Sequence, residues 1–85
     1  MIRLYTMDNC QYCNNLKKLL KADNIEYIEV NVGHKENEDE FKVVYEITGS
    51  DNVPTMKIGK QLFAPDVSFS SIQEAFDLAK KFGGS

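Results

Sequence analysis

A strand-like run, a helical run and a second strand-like run follow one another at the start of this chain, and its two cysteines stand where the first run gives way to the second. Ile2 to Thr6 alternates apolar and polar residues and ends at Asp8-Asn9. From Cys10 to Ala22, Leu16, Leu19 and Leu20 recur at helical spacing, with Lys17, Lys18 and Lys21 on the other side. Asp23-Asn24 ends that helix. Tyr27-Ile28-Glu29-Val30-Asn31-Val32 then alternates strictly up to Gly33. Two strands joined through a helix pair in parallel by a right-handed crossover, so this stretch predicts a βαβ unit.

The second half reads as helix, hairpin, helix. Residues from Asn37 to Ile47 carry an apolar stripe of Phe41, Val44 and Tyr45, and Thr48-Gly49 stops them. Thr55 to Ile58 and Gln61 to Ala64 flank Gly59-Lys60, a hairpin with a glycine turn. A loop from Pro65 to Ser70 leads to Ser71 and Glu74, spaced as a capping box. Ile72, Ala75, Phe76, Ala79 and Phe82 line a last helix that Gly83 ends. The order βαβαββα predicts an α/β fold in which three helices cover a four-stranded mixed sheet. We expect one domain over residues 1–82 and a C-terminal tail over 83–85.

An 85-residue chain buries only about 60–65% of the surface its unfolded form exposes. Its site is therefore expected to be a surface cleft. The net charge of −3 argues against a nucleic-acid partner, and the acidic run Glu36, Glu38, Asp39, Glu40 reads as a solvated helix start. No apolar stretch approaches the about 20 residues of a membrane span. Strand-like sequence begins at Ile2, so no signal peptide is visible. Two cysteines in an unexported chain fit a reducing, cytoplasmic location, where disulfides are transient and catalytic.

Cys10 and Cys13 are three apart at a helix start, which brings side chains within about 5–6 Å. A disulfide accepts Cα atoms about 4.4–6.8 Å apart, so the pair can hold two thiols or one bond with little backbone movement. A structural staple is a poor alternative, because so small a loop removes little unfolded-chain entropy. A zinc site needs four ligands, and His34 alone is on offer beside the cysteines. A C-x-x-C near a βαβ pattern reads instead as a redox couple. Only a thiolate attacks a disulfide, and the unpaired N–H groups of the helix N-terminus favour an anion at Cys10. Cys10 is then the exposed nucleophile and Cys13 the partly buried resolving thiol. Val53-Pro54 stands between two strand-like segments, where proline fits only at a strand start. Either it is an ordinary loop proline, or it is a cis proline beside the thiols that leaves the Val53 backbone free to pair with an extended peptide.

At this point the chain resembles the glutaredoxins of the thioredoxin-like superfamily, over nearly its whole length. Tyr5-Thr6-Met7-Asp8-Asn9-Cys10-Gln11-Tyr12-Cys13 resembles the family's passage from strand to active site. Thr48-Gly49-Ser50-Asp51-Asn52-Val53-Pro54 resembles its T-G-x-x-T-V-P segment. Phe63-Ala64-Pro65-Asp66 and the small size are similar to bacteriophage glutaredoxins. The resemblance implies a thioredoxin-like fold and a glutathione-dependent thiol-disulfide oxidoreductase. It implies that Val53 and Pro54 bind glutathione around the Cys10/Cys13 couple, and with them Tyr12, Ser70 and Ser71. On the residues alone Tyr12 is either a ring beside the thiol and glutathione or a half-exposed aromatic with no role, and Ser70 and Ser71 either meet a glutathione carboxylate or only cap the last helix. Disulfide-containing proteins, with ribonucleotide reductase among them through the phage relatives, are the implied partners of a monomer.

Three departures bear on this. Gln11 stands where the family usually has proline, and such members sometimes share a two-iron, two-sulfur cluster between subunits through the residue that is Cys10 here. Otherwise no metal is expected. Met7 replaces a frequent lysine or arginine, with Asp8 beside it, so weaker glutathione binding is expected. The family's G-G-x-D before the last helix is missing, and Phe69-Ser70-Ser71-Ile72-Gln73 takes its place. Three readings stay open: a dithiol glutaredoxin reduced by glutathione, a redoxin reduced by a thioredoxin-reductase-type flavoprotein, and a cluster carrier.

Overall fold

A computed structural model describes residues 1–83. Its elements are strand β1 (Ile2–Thr6), helix α1 (Gln11–Ala22), strand β2 (Tyr27–Asn31), a 3-10 turn (Lys35–Asn37), helix α2 (Glu38–Thr48), strands β3 (Thr55–Ile58) and β4 (Gln61–Phe63), and helix α3 (Ile72–Gly83). The sheet order is β2-β1-β3-β4. β1 pairs in parallel with β2, while β1 with β3 and β3 with β4 are antiparallel. This is the expected mixed sheet of four strands and three helices. Gly84 and Ser85 of the expected tail lie outside the described residues. Gly83 is the last residue of α3, and a Cβ there would sit 2.8 Å from the Ile2 side chain.

β1 is central, so both of its faces are covered. Ile2 and Leu4 enter a core with Leu16 and Leu20 of α1, Met56 and Ile58 of β3, and Ala75 and Ala79 of α3. Tyr5 points the other way, into a smaller cluster with Val30 and Val44, against which Phe41 and Leu62 pack. The period-2 alternation of β1 thus separates an α1/α3 layer from an α2 layer. Leu16 and Leu20 are fully buried, and each such side chain contributes about 1.5–3 kcal/mol. The α2 stripe holds for Phe41 and Val44, but Tyr45 is left exposed. An amphipathic helix buries only the positions aimed at the sheet.

A polar clamp ties β1 to α2. Arg3 donates from Nε and Nη2 to the two carboxylate oxygens of Glu40, at 2.8 and 2.7 Å. The Tyr5 hydroxyl donates to the same carboxylate at 2.6 Å. Glu40 is held below the usual carboxylate range, by the Arg3 hydrogen bond first and the Tyr5 bond in addition. The Tyr5 phenol is pushed up to about 12, chiefly by burial and next by its bond to Glu40. The acidic stretch is therefore a solvated helix start with one member, Glu40, turned inward.

Several boundaries differ by one residue from the sequence expectation: β4 stops at Phe63, α2 runs on to Thr48, and the end of β2 and the start of α2 also shift. β2 stops at Asn31, because the Asn31 side chain accepts the Gly33 N–H at 2.8 Å and turns the chain. α2 starts at Glu38 because the Asn37 side chain donates to the Asn31 carbonyl at 2.8 Å and does not cap the helix. Gly49 ends α2 in the left-handed conformation, φ 76°, where glycine carries no Cβ penalty. Gly59 makes the β3–β4 turn with φ 62°.

Candidate active site

Cys10 is the N-cap of α1, with extended dihedrals, and its carbonyl accepts the first helical bond from Asn14 at 3.0 Å. The Cys13 N–H donates to Cys10 Sγ at 3.2 Å. The sulfur fills the place that a serine or aspartate oxygen takes in other helix caps, where one unpaired helix N–H is satisfied. An N–H aimed at sulfur stabilises a thiolate more than a thiol. The first turn of α1 carries no acidic residue to oppose it. Cys10 is partly exposed and Cys13 is fully buried. The Cα atoms are 5.3 Å apart and the two sulfurs are bonded to each other. The less buried cysteine therefore has its fully buried neighbour within bonding reach.

β3 brings the proline segment to this place. Tyr5 of β1 is paired with Thr55 of β3, so Pro54 lies beside the end of β1, where the chain leaves for Cys10. The Val53–Pro54 bond is cis, which answers the open choice between a loop proline and a cis proline. Among the described residues, neither the N–H nor the C=O of Val53 makes a hydrogen bond. Ser50, Asn52 and Thr55 brace the segment, with the Thr55 hydroxyl donating to the Asn52 carbonyl at 2.8 Å and the Asn52 N–H donating to Ser50 Oγ at 3.3 Å.

Tyr12, Val53, Pro54, Ser70 and Ser71 all line one open cleft of about 260 Å³. Sequence reasoning named these five, and the fold brings them together from the α1 start, the cis-proline loop and the α3 start. Tyr12 is 67% exposed, a ring lying on the rim. Pro65, Asp66, Phe69 and Ile72 complete the lining, and sequence reasoning gave them no role at the site. The signals in the chain are Phe63-Ala64-Pro65-Asp66, a family likeness, and Phe69-Ser70-Ser71-Ile72-Gln73, which stands in place of G-G-x-D. The 65–69 turn is fixed by hydrogen bonds from the Asp66 N–H to Phe69 O (2.8 Å) and from the Ser68 N–H to Ala64 O (2.9 Å). Asp66 adopts a positive φ of 62° there, a region that aspartate enters more readily than most residues.

The capping box differs in one respect from expectation. Ser71 Oγ accepts the Glu74 N–H at 3.1 Å, as expected. Glu74 reaches past Ser71 and accepts from Ser70, both its N–H at 2.6 Å and its hydroxyl at 2.9 Å. Those bonds, the backbone one first, hold Glu74 below the usual carboxylate range. The polar donors of Ser70 thus already meet a carboxylate of the same chain. Met7 is half-exposed. Asp8 Oδ1 accepts from the Asn31 amide at 2.9 Å, so it faces β2. His34 is an exposed residue at 3.9 Å from Glu36. Among the described residues no three His, Cys, Asp or Glu side chains converge. A cluster at Cys10 would draw its remaining ligands from outside the chain.

The glutaredoxin sequence-family profile matches residues 2–63. Glutaredoxin 1 of Rickettsia felis is 30% identical over 94% of this chain and 72% of its own length. Glutaredoxin 1 of Rickettsia prowazekii is 29% identical over 94% of this chain and 78% of its own length. Among solved structures, a buckwheat glutaredoxin–glutathione complex superposes with a TM-score of 0.71, at 16% identity, over 94% of this chain and 68% of that one. The glutaredoxin of Archaeoglobus fulgidus gives 0.68 at 17% identity, over 95% of this chain and 83% of its own. At those identities the structures speak for the thioredoxin-like fold alone, and the sequence matches speak for the family. With a bonded C-x-x-C pair at the cap of its first helix, this chain belongs to the glutaredoxin family of thiol-disulfide oxidoreductases.

Proposed function

We propose that the protein reduces protein disulfides and glutathione mixed disulfides through Cys10 and Cys13, with glutathione restoring the dithiol. The observation that carries this is the pairing of a partly exposed Cys10, its sulfur capped by an N–H, with a buried Cys13 within bonding reach. The Cys10 thiolate attacks one sulfur of the substrate disulfide. A Cys10–substrate disulfide forms, the substrate bond breaks, and the second substrate sulfur leaves as a thiolate that takes up a proton. Cys13 loses its proton and attacks Cys10 Sγ. The substrate sulfur that was bonded to Cys10 leaves as a thiolate and takes up a proton, and the Cys10–Cys13 disulfide remains, two electrons poorer. Two glutathione thiols then reverse the couple and become one glutathione disulfide.

Glutathione is an extended peptide, and the open Val53 backbone offers it a strand-like partner. Pro54, Tyr12, Ser70 and Ser71 share the cleft that it would enter. The fold-level likeness to a glutaredoxin solved with glutathione points the same way. We place this work in a cytoplasmic, reducing setting and assign it to a monomer. Ribonucleotide reductase stays among the proposed protein substrates.

Two observations favour a flavoprotein donor as a second reading. No lysine or arginine lines the cleft, and Glu74 already occupies the Ser70 donors. Turnover of a small glutathionylated disulfide decides between the donors. Glutathione with glutathione reductase supports the first reading, and turnover only with thioredoxin reductase replaces the donor. Gln11 keeps the cluster carrier in view. A brown, glutathione-dependent dimer on purification would establish that role, and a colourless active monomer would dismiss it.

A further inference from the structure

The cleft is lined by Tyr12, the Val53-Pro54 segment and residues of the 65–72 stretch. None of the lining residues is a lysine or arginine, although the chain has ten of these residues. Asp51 lies two residues before the open Val53 backbone, and Asp66 and Glu74 lie in and just after the 65–72 stretch. Asp66 lines the cleft, on a turn that hydrogen bonds hold in place. Glu74 is anchored on Ser70, itself a lining residue, and stands at the edge between this cleft and a neighbouring groove that Lys81 also lines. The remaining lining is apolar or neutral, with Val53, Pro54, Pro65 and Phe69 at its centre. A ligand lying along the Val53 backbone therefore meets the Asp66 carboxylate and no lysine or arginine of the cleft lining, with Glu74 behind Ser70 at its edge.

We propose that this mouth selects peptidyl disulfides whose cysteines are flanked by lysine or arginine, and that Asp66 and Glu74 are the residues that set the preference. The inference rests on the dithiol-reductase reading above, but not on the identity of the electron donor. Each carboxylate is exposed, so each contact with a flanking ammonium is worth only a surface ion pair, about a three- to fivefold gain in rate. The two together separate a lysine-flanked from a glutamate-flanked disulfide by about tenfold or more, because the glutamate is repelled as the lysine is attracted. The preference weakens as salt screens exposed charges.

A single-turnover experiment tests this without any external reductant. Fully reduced protein is mixed with three cyclic cystine peptides that differ only in the residues flanking the cysteines, lysine, glutamine or glutamate. The second-order rate of Cys10–Cys13 oxidation is followed at low and at high salt. The same peptides reacted with dithiothreitol give their intrinsic reactivity, by which each rate is divided. We expect the order lysine, glutamine, glutamate, with a corrected lysine-to-glutamate ratio of about ten at low salt that falls toward one at high salt. The double variant D66N/E74Q, folded by circular dichroism, is expected to cut that ratio at least threefold. Corrected ratios within twofold of one, or a ratio that the double variant leaves unchanged, overturn the proposal while leaving the dithiol chemistry in place. Failure to oxidise on any of the three peptides overturns the reductase reading and this inference with it.

Discussion

Replacing Tyr5 by phenylalanine removes one hydroxyl and little else. The ring is fully buried, packed beside Phe41 at 5.9 Å between centroids and clustered with Val44. Phenylalanine keeps that packing. What is lost is a 2.6 Å hydrogen bond to a carboxylate that Arg3 also holds. Hydrogen bonds to charged groups are worth about 1.5–3 kcal/mol. The lower end applies here, because Glu40 keeps both Arg3 bonds and has solvent access. A domain of this size loses about 4–8 °C in Tm per kcal/mol, so Tyr5→Phe should lower Tm by about 6–12 °C at neutral pH. The pH dependence supplies a second check. Tyr5 ionises near 10 when unfolded and near 12 when folded, chiefly because burial disfavours the phenolate. Its contribution is fully present below pH 10 and is lost as pH rises toward 12, where the unfolded state gives up the proton first. The other tyrosines are common to both proteins. The gap between wild type and Tyr5→Phe should therefore narrow between pH 10 and about 12. Thermal unfolding of both oxidised proteins by circular dichroism, in steps across that range, measures it. A neutral-pH difference under about 2 °C would refute the clamp, well below what one charged hydrogen bond implies. A gap constant through the alkaline range would refute the assignment of the buried phenol.

Three further outcomes follow from the site and its supports. Cys10→Ser should abolish all thiol exchange, whereas Cys13→Ser should keep reduction of glutathione mixed disulfides and lose dithiol reduction of proteins; equal, total loss in both would contradict the division of roles. Met7→Lys should raise the thiolate fraction of reduced Cys10 at neutral pH by about two- to fivefold, the value of one exposed charge pair, and should tighten glutathione; an unchanged ultraviolet thiolate signal would mean that residue 7 does not reach the sulfur. Gly49→Ala places no Cβ within 4 Å of any atom but forces a left-handed φ of 76° on a non-glycine residue, so denaturant unfolding should show a loss of about 1 kcal/mol or more from backbone conformation alone.

Much of this fold is legible in the chain because its rules are local. Alternation in Ile2–Thr6 and helical spacing from Leu16 to Leu20 depend on neighbours a few residues away, and β1 and α1 follow them closely. The parallel pairing of β1 with β2 follows from the handedness of a crossover. Cys10 as a cap with Cys13 one turn inside needs only a helix start at Gln11. The five residues named around the couple meet in one cleft because they sit at the ends of elements that the sheet order places side by side.

The rest depended on partners far apart in sequence. Glu40 looks like one more solvated acid until β1 delivers Arg3 and Tyr5 from more than thirty residues away. Glu74 fits a capping box by spacing, and only the path of the chain into α3 aims its carboxylate at Ser70. Asp8 meets Asn31 of the neighbouring strand, and Asp66 joins the cleft because the 65–69 turn folds back on itself. The order of the elements and the identity of the redox pair can be read along the chain, since backbone propensity and spacing act over a few residues. Which charges stand at the mouth and which meet partners elsewhere follows from the folded arrangement, because an electrostatic contact is set by distance in space and not by separation along the chain.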